Sequence, residues 1–282
     1  MRRTVLAALT ALVCAGTLSA ADLSTPEAAI ALPAEALRTN NLIGLFETMP
    51  AADQAKAEAD WDQNRQNMSP QKKAEANEFF DKILATDAVD QMMAEAGPNL
   101  AQMNPAEMAG MVQMIGGMMA MQMGQDPKSK AYAPMVQGLV MDVAAWLPTA
   151  GLEDPAKLKQ TITHFIDAVK KLEITNADEL CALDLRTLLT RSGAALAEGK
   201  KCLGVYGIDA DAFLGSLKVT DVVGDGDKRD AKLNFTAFGK PYQLPVKLAQ
   251  KEGMWTFDSD ALQQDLAPAL GGMAPGMGGG DM

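Results

Sequence analysis

The hydrophobic period of the chain changes near Ser216, and this change constrains the fold more than any other feature. Before it, apolar residues recur at helical spacing; after it, short β-branched or aromatic runs alternate. The runs SLKVTDVV, DAKLNFTAF, YQLPVKLA and MWTFD are separated by GDGDKR, GKP and KEG, which predicts a four-stranded antiparallel meander. Leu233, Phe235 and Ala237 fall on one side of their strand, as do Leu244, Val246 and Leu248. Pro245 lacks a ladder donor, so an edge position or a bulge is expected there.

Upstream, helix starts repeat one theme, a capping side chain followed by proline: Thr25-Pro26, Ser69-Pro70, Asn104-Pro105 and Asp154-Pro155. The short oxygen side chain accepts the orphan amide protons, and proline at the first helical position has none to waste. Thr175 with Asp178 suggests a weaker cap, and Asp209 one for a short helix through Leu214. Leu158, Ile162, Phe165, Ile166, Val169 and Leu172 share one helical face, and the sole histidine, His164, projects off it, toward solvent. The stretch 51–67 is mostly polar and is read as a surface helix or a mobile connection. The fold class is therefore α+β, predominantly helical with a C-terminal four-stranded antiparallel β-meander. Texture places a helical region at 21–215, the meander at 216–260 and a flexible Gly/Met-rich tail at 261–282, most plainly GGMAPGMGGGDM.

Residues 1–20 carry Arg2 and Arg3, an uncharged apolar run and a small-residue end, the pattern of a secretory signal peptide cleaved after Ala20 or Ala21. Cys14 follows Val13, where a lipobox wants Gly or Ala, and is read as part of the discarded peptide. Loss of the two arginines takes the formal charge from -11 to -13. So acidic a surface repels phosphate backbones and excludes nucleic acid as partner. No later segment reads as a membrane span, so the expected location is the periplasm or the outside of the cell. In that compartment Cys181 and Cys202 are expected to form a disulfide, worth roughly 3 kcal/mol in the chain-entropy picture, the alternative being two buried thiols. One histidine is too few for an ordinary zinc set.

Residues Met108 to Met123, MAGMVQMIGGMMAMQM, hold seven methionines and no charge. On a helical wheel the methionines share an arc of roughly 200°, opposite a back of Ala109, Gly110, Gln113, Gly116, Gly117 and Ala120. Helical spacing predicts that this soft face is core, with the small back allowing another helix to approach. Two alternatives stand beside it. Met119, Met121 and Met123 form a Met-x-Met-x-Met run that would bind Cu(I) if the helix unwound there, and the whole face would serve as an adaptable surface for an apolar partner.

Catalytic patterns are lacking. There is no G-x-S-x-G, no P-loop and no G-x-G-x-x-G. Asp225, Asp227 and Asp230 suggest a calcium loop, but Arg229 and Thr236 stand where acidic ligands belong, so a polar hairpin turn is expected.

Two segments, STPEAAIALPAEALRTNNLIGLFETM and GSLKVTDVVGDGDKRDAKLNFTAFGKPYQLPVKLAQKEGMWTFD with its Gly253-Met254-Trp255, resemble the first helices and closing meander of exported nuclear-transport-factor-2-like domains. The resemblance covers about 75 residues and implies a curved sheet wrapped around helices. The helical stretch 50–215 departs from that pattern, and no functional residue carries over. The expected function is that of an exported, non-enzymatic binding or interaction protein for an unidentified protein or small apolar ligand, with no cofactor. The alternatives are a Met-rich Cu(I) or apolar-client binder and an enzyme of unknown chemistry.

Overall fold

The computed structural model describes residues 23–100 and 102–271. Residues 1–22, which include the expected signal peptide with Cys14, and the last eleven residues of the Gly/Met-rich tail lie outside the described residues. In chain order the elements are α1 (Ala28–Arg38), α2 (Leu42–Phe46), α3 (Ala51–Gln66), α4 (Pro70–Leu84), α5 (Ala88–Leu100), α6 (Pro105–Gln125) and a 3-10 turn at Lys130–Tyr132. Then come α7 (Ala133–Ala150), α8 (Pro155–Lys171), α9 (Ala177–Ala182), α10 (Leu185–Val205) and α11 (Ala210–Ser216). Strands β1 (Lys218–Val223), β2 (Lys228–Ala237), β3 (Lys240–Lys251) and β4 (Met254–Phe257) follow, then α12 (Ser259–Gly271). The α+β reading holds: helices dominate, and one four-stranded antiparallel sheet closes the chain. The start of the expected tail is helical, since α12 occupies 259–271.

Three of the four proline-preceding caps form as read. Ser69 accepts from the Lys72 amide, Asn104 from those of Ala106 and Glu107, and Asp154 from that of Ala156. After Thr25-Pro26 the chain makes a turn first and enters α1 at Ala28. The cap of α9 is Asn176, one residue later than Thr175, while Glu179 reaches back to accept from the Thr175 amide.

The described chain divides into two compact units, and the division does not follow the texture change. The first takes Leu32–Met103 and Gly151–Gly215; the second takes Ser24–Ala31, Asn104–Ala150 and everything from Ser216. Helices α6 and α7 therefore belong with the sheet. Their helical period is identical to that of their neighbours, which hides the boundary from sequence.

In the first unit Phe80 and Ile83 of α4, Ala88 of α5 and Ile162, Ile166 and Val169 of α8 form the core together with Ile174. The α8 face is as expected except for Phe165, which is exposed. Helix α3 buries nothing, yet it is not loose. The Trp61 indole N–H donates to the Leu183 carbonyl at 2.9 Å, and Arg65 donates to the Cys181 carbonyl at 2.9 Å. Lys200 of α10 closes the C-terminal end of α1 by donating to the carbonyls of Leu37 (2.6 Å) and Arg38 (2.9 Å).

In the second unit the strands run in the order β1-β2-β3-β4. The register Ala231↔Val246, Leu233↔Leu244 and Phe235↔Tyr242 brings the expected apolar faces of β2 and β3 together. Phe238-Gly239 and Glu252-Gly253 turn the hairpins with both φ angles positive, matching the strand twist. Pro245 is tolerated in an inner strand because β4 pairs only with Leu248–Lys251, so no strand flanks Pro245 on that side. Met123 and Tyr132 are buried with Met119, Val136, Leu244, Leu262 and Leu266 packed around them.

Candidate functional site

Helix α6 does not bury the whole methionine arc of the core reading; its inner face is mixed, with Ala109, Gly116 and Met123 buried and Met108 and Met119 half-buried. Ala109 and Gly116 are buried, and Gly116 lies against Val140 of α7, so close that a β-carbon would meet Val140 Cγ1 at 2.2 Å. The small back is what lets the two helices approach. With that face inward, most of the methionines point out. Met111, Met114, Met118 and Met121 are 56, 60, 49 and 64% exposed, whereas Met123 is 2% exposed. Ile115 beside them and Met141 on α7 are exposed as well.

The four exposed methionines are spaced three, four and three residues apart, which aligns them in one stripe along α6, the seam spacing of helix–helix contacts. Beside the stripe, Gly110, Gly117 and Gly124 recur every seven residues with no other atoms near the position of a β-carbon. The stripe carries no charge, and Glu107 in the first turn is the only charged residue of α6. The largest apolar patch on a typical monomer is about 300–600 Å² and is often a contact site, and this row is a candidate for that role.

The other residues singled out from sequence are dispersed. Met119, Met121 and Met123 do not converge: α6 is continuous through them, and they are half-buried, exposed and buried in turn. The unwinding that a Cu(I) site there requires is absent. The expected Cys181–Cys202 bridge is not formed in this structure, where both are free thiols. Cys181 lies in α9 with its thiol toward Met68 Sδ at 3.7 Å, and Cys202 lies near the far end of α10, hydrogen-bonded to the Thr161 carbonyl at 3.5 Å. A rise of about 1.5 Å per residue puts Cys202 about 25 Å along α10 from its start. Four residues back from that start, Cys181 has at most about 13 Å of chain with which to return. A disulfide requires Cα atoms within about 7 Å. Asp225 and Asp227 sit in an exposed hairpin turn, with Gly224 and Gly226 at positive φ, as expected, and Asp230 lies in β2.

His164 is not a free surface residue. It is half-buried on α8, and its Nδ1 lies 3.3 Å from Glu198 Oε2 of α10. Nothing in the local pattern signals this contact, because Glu198 lies 34 residues away. In the second unit, Asp142 of α7 is buried, accepting from Lys240 Nζ at 2.5 Å and from the Tyr242 hydroxyl. The hydrogen bonds from Lys240 and Tyr242 hold its carboxyl below the usual aspartate range. Burial, reinforced by Asp142, pushes the Tyr242 hydroxyl up to about 12. Asp265 of α12 accepts from Tyr132 at 3.2 Å and Lys247 at 2.8 Å. Both nodes tie helices to β3. The Asp142 carboxyl is lowered and the hydroxyls of Tyr132 and Tyr242 are raised, each away from neutral pH, which suits a structural role better than proton transfer.

Comparison with known protein families, with curated proteins and with solved structures finds no match for this chain. Among the described residues no single helix is long and apolar enough to cross a membrane.

Proposed function

We propose that the protein is an exported, non-enzymatic binding module whose contact surface is the methionine stripe of α6 and whose partner is the apolar face of a helix. The observation that carries this is the exposure of Met111, Met114, Met118 and Met121 in a straight, uncharged row. A three-four-three row fits an apolar helical face on the partner, as in helix-in-groove recognition. The unbranched thioether chains adapt to partners of differing shape. The glycines beside the row leave room for a close backbone. Export rests on the pattern of residues 1–20.

The test uses a synthetic amphipathic peptide with a leucine seam as probe. Titrated against the full chain, it is expected to bind the wild type and to lose at least about tenfold in affinity when Met114, Met118 and Met121 become glutamine, with the helical circular dichroism unchanged. Equal binding by the glutamine variant overturns the proposal.

A second reading is favoured by one further observation: Met114, Met118 and Met121 lie within about 60° of arc on the exposed face, so three thioethers are available to one Cu(I) ion without unwinding. Replacing the three by leucine separates the readings. Leucine keeps the apolar contact and removes the sulfur, so retained peptide binding with no Cu(I) uptake supports the first reading. Cu(I) uptake by the wild type alone supports the second.

A further inference from the structure

We propose that His164, Asp167 and Glu198 form a binding site for a divalent transition-metal ion, zinc foremost, on the first unit. His164 and Asp167 are three residues apart on α8, so both project from the same side of that helix toward α10, where Glu198 stands. The three ligand atoms lie within 4.8 Å of one another. With bonds of 2.0–2.2 Å, a tetrahedral zinc ion needs its ligands about 3.3 Å apart, which small side-chain rotations provide. Imidazole nitrogen with two carboxylate oxygens suits borderline cations, and three protein ligands leave a position open for water or a further ligand.

The charge arrangement is already that of a cation site. The Glu198 side chain is only 13% exposed. Its Oε1 is held by Lys201 at 2.9 Å, so Oε2, the oxygen facing His164 Nδ1, remains as the ligand. Asp167 is half-buried, and its carboxylate has no hydrogen bond or ion pair among the described residues, although a second carboxylate lies beside it. A cation between the two carboxylates would give both a partner of opposite charge. Lys201 pairs with one oxygen of Glu198, and a divalent ion between His164, Asp167 and Glu198 would pair with the other and with Asp167. Both ligand helices pack against each other within the first unit, so the site is carried on helices rather than loops.

The chain contains a single histidine, so its imidazole is an unambiguous reporter. The experiment takes the full chain without a histidine tag and titrates it with Zn²⁺ while following the imidazole carbon-bound proton resonances by NMR. Affinity is measured in parallel by competition with a fluorescent chelator. The expected result is a saturating change of the imidazole signals at one equivalent and a dissociation constant of about 10 µM or tighter. His164→Ala, Asp167→Asn and Glu198→Gln are each expected to weaken binding at least about tenfold, while Asp90→Asn on α5 leaves it unchanged. Imidazole signals unmoved by an equivalent of Zn²⁺ overturn the proposal, as does equal affinity in the Glu198→Gln chain. The NMR result on the wild type decides the matter even if a variant fails to fold.

Discussion

Gly116 and Val140 are locked together: a β-carbon at Gly116 would come within 2.2 Å of Val140 Cγ1 and 2.5 Å of Cγ2. With Gly116 turned inward against Val140, Met111, Met114, Met118 and Met121 face outward. Gly117, one residue on, has open space above it. The two glycines therefore respond oppositely to alanine. Gly116→Ala is expected to cost about 1–3 kcal/mol by forcing the helices apart, and Gly117→Ala to gain about 0.5–1 kcal/mol from helix propensity. Urea unfolding of the two variants against wild type checks both signs.

The corresponding close approach in the first unit is Gly193 of α10, where a β-carbon would lie 2.3 Å from the Asn40 carbonyl oxygen. Asn40 sits at φ 59, a conformation asparagine tolerates better than most residues, so the loop has little freedom to retreat. Gly193→Ala is expected to destabilise by about 1–3 kcal/mol. A thermal scan in which this variant melts with the wild type would show that the approach is looser.

No cross-link between Cys181 and Cys202 contributes to stability. Alkylation under non-reducing denaturing conditions followed by peptide mapping is expected to label both residues, and a reductant is expected to leave the melting temperature unchanged. In the folded chain Cys202 is expected to react slowly, since burial pushes its thiol up. A peptide pair joined through these two residues would require α10 to break.

Much of the fold was legible, and the part that was not has an identifiable cause. The strands, the α8 face and the proline-preceding caps follow from period and local chemistry, which two or three neighbouring residues decide. The orientation of α6 does not, because its wheel offers two plausible inner faces, one soft and wide, one small. Methionine at helical spacing reads as core; the decision came from Val140, a residue on another helix whose fit into Gly116 no local pattern encodes. His164 and Glu198 were missed for the same reason, their contact being made only when α8 and α10 pack. The disulfide expectation came from compartment and cysteine number, with no account of the length of α10.

Asp142 makes the second unit sensitive to acid. With Lys240 and Tyr242 donating to it, its folded-state pKa lies below the ordinary 3.8. Its stabilisation is fully present above that ordinary value and is lost as pH falls through the folded one. Asp142→Asn is expected to lower the melting temperature at pH 7, with the gap to wild type closing below about pH 4. At the alkaline end Tyr242, pushed up to about 12, contributes stability below the ordinary 10.0 that is lost as pH rises toward 12. Melting curves across both ranges for the wild type and Asp142→Asn measure the two effects.

The exposure of the α6 stripe is open to direct measurement by brief hydrogen-peroxide oxidation of the folded chain with mass-spectrometric quantitation of each methionine. Met111, Met114, Met118 and Met121 are expected to convert to sulfoxide quickly and together, with Met123 protected until the protein unfolds. Protection of those four alongside Met123 would mean that the soft face is buried, and the contact surface proposed for this protein would not exist.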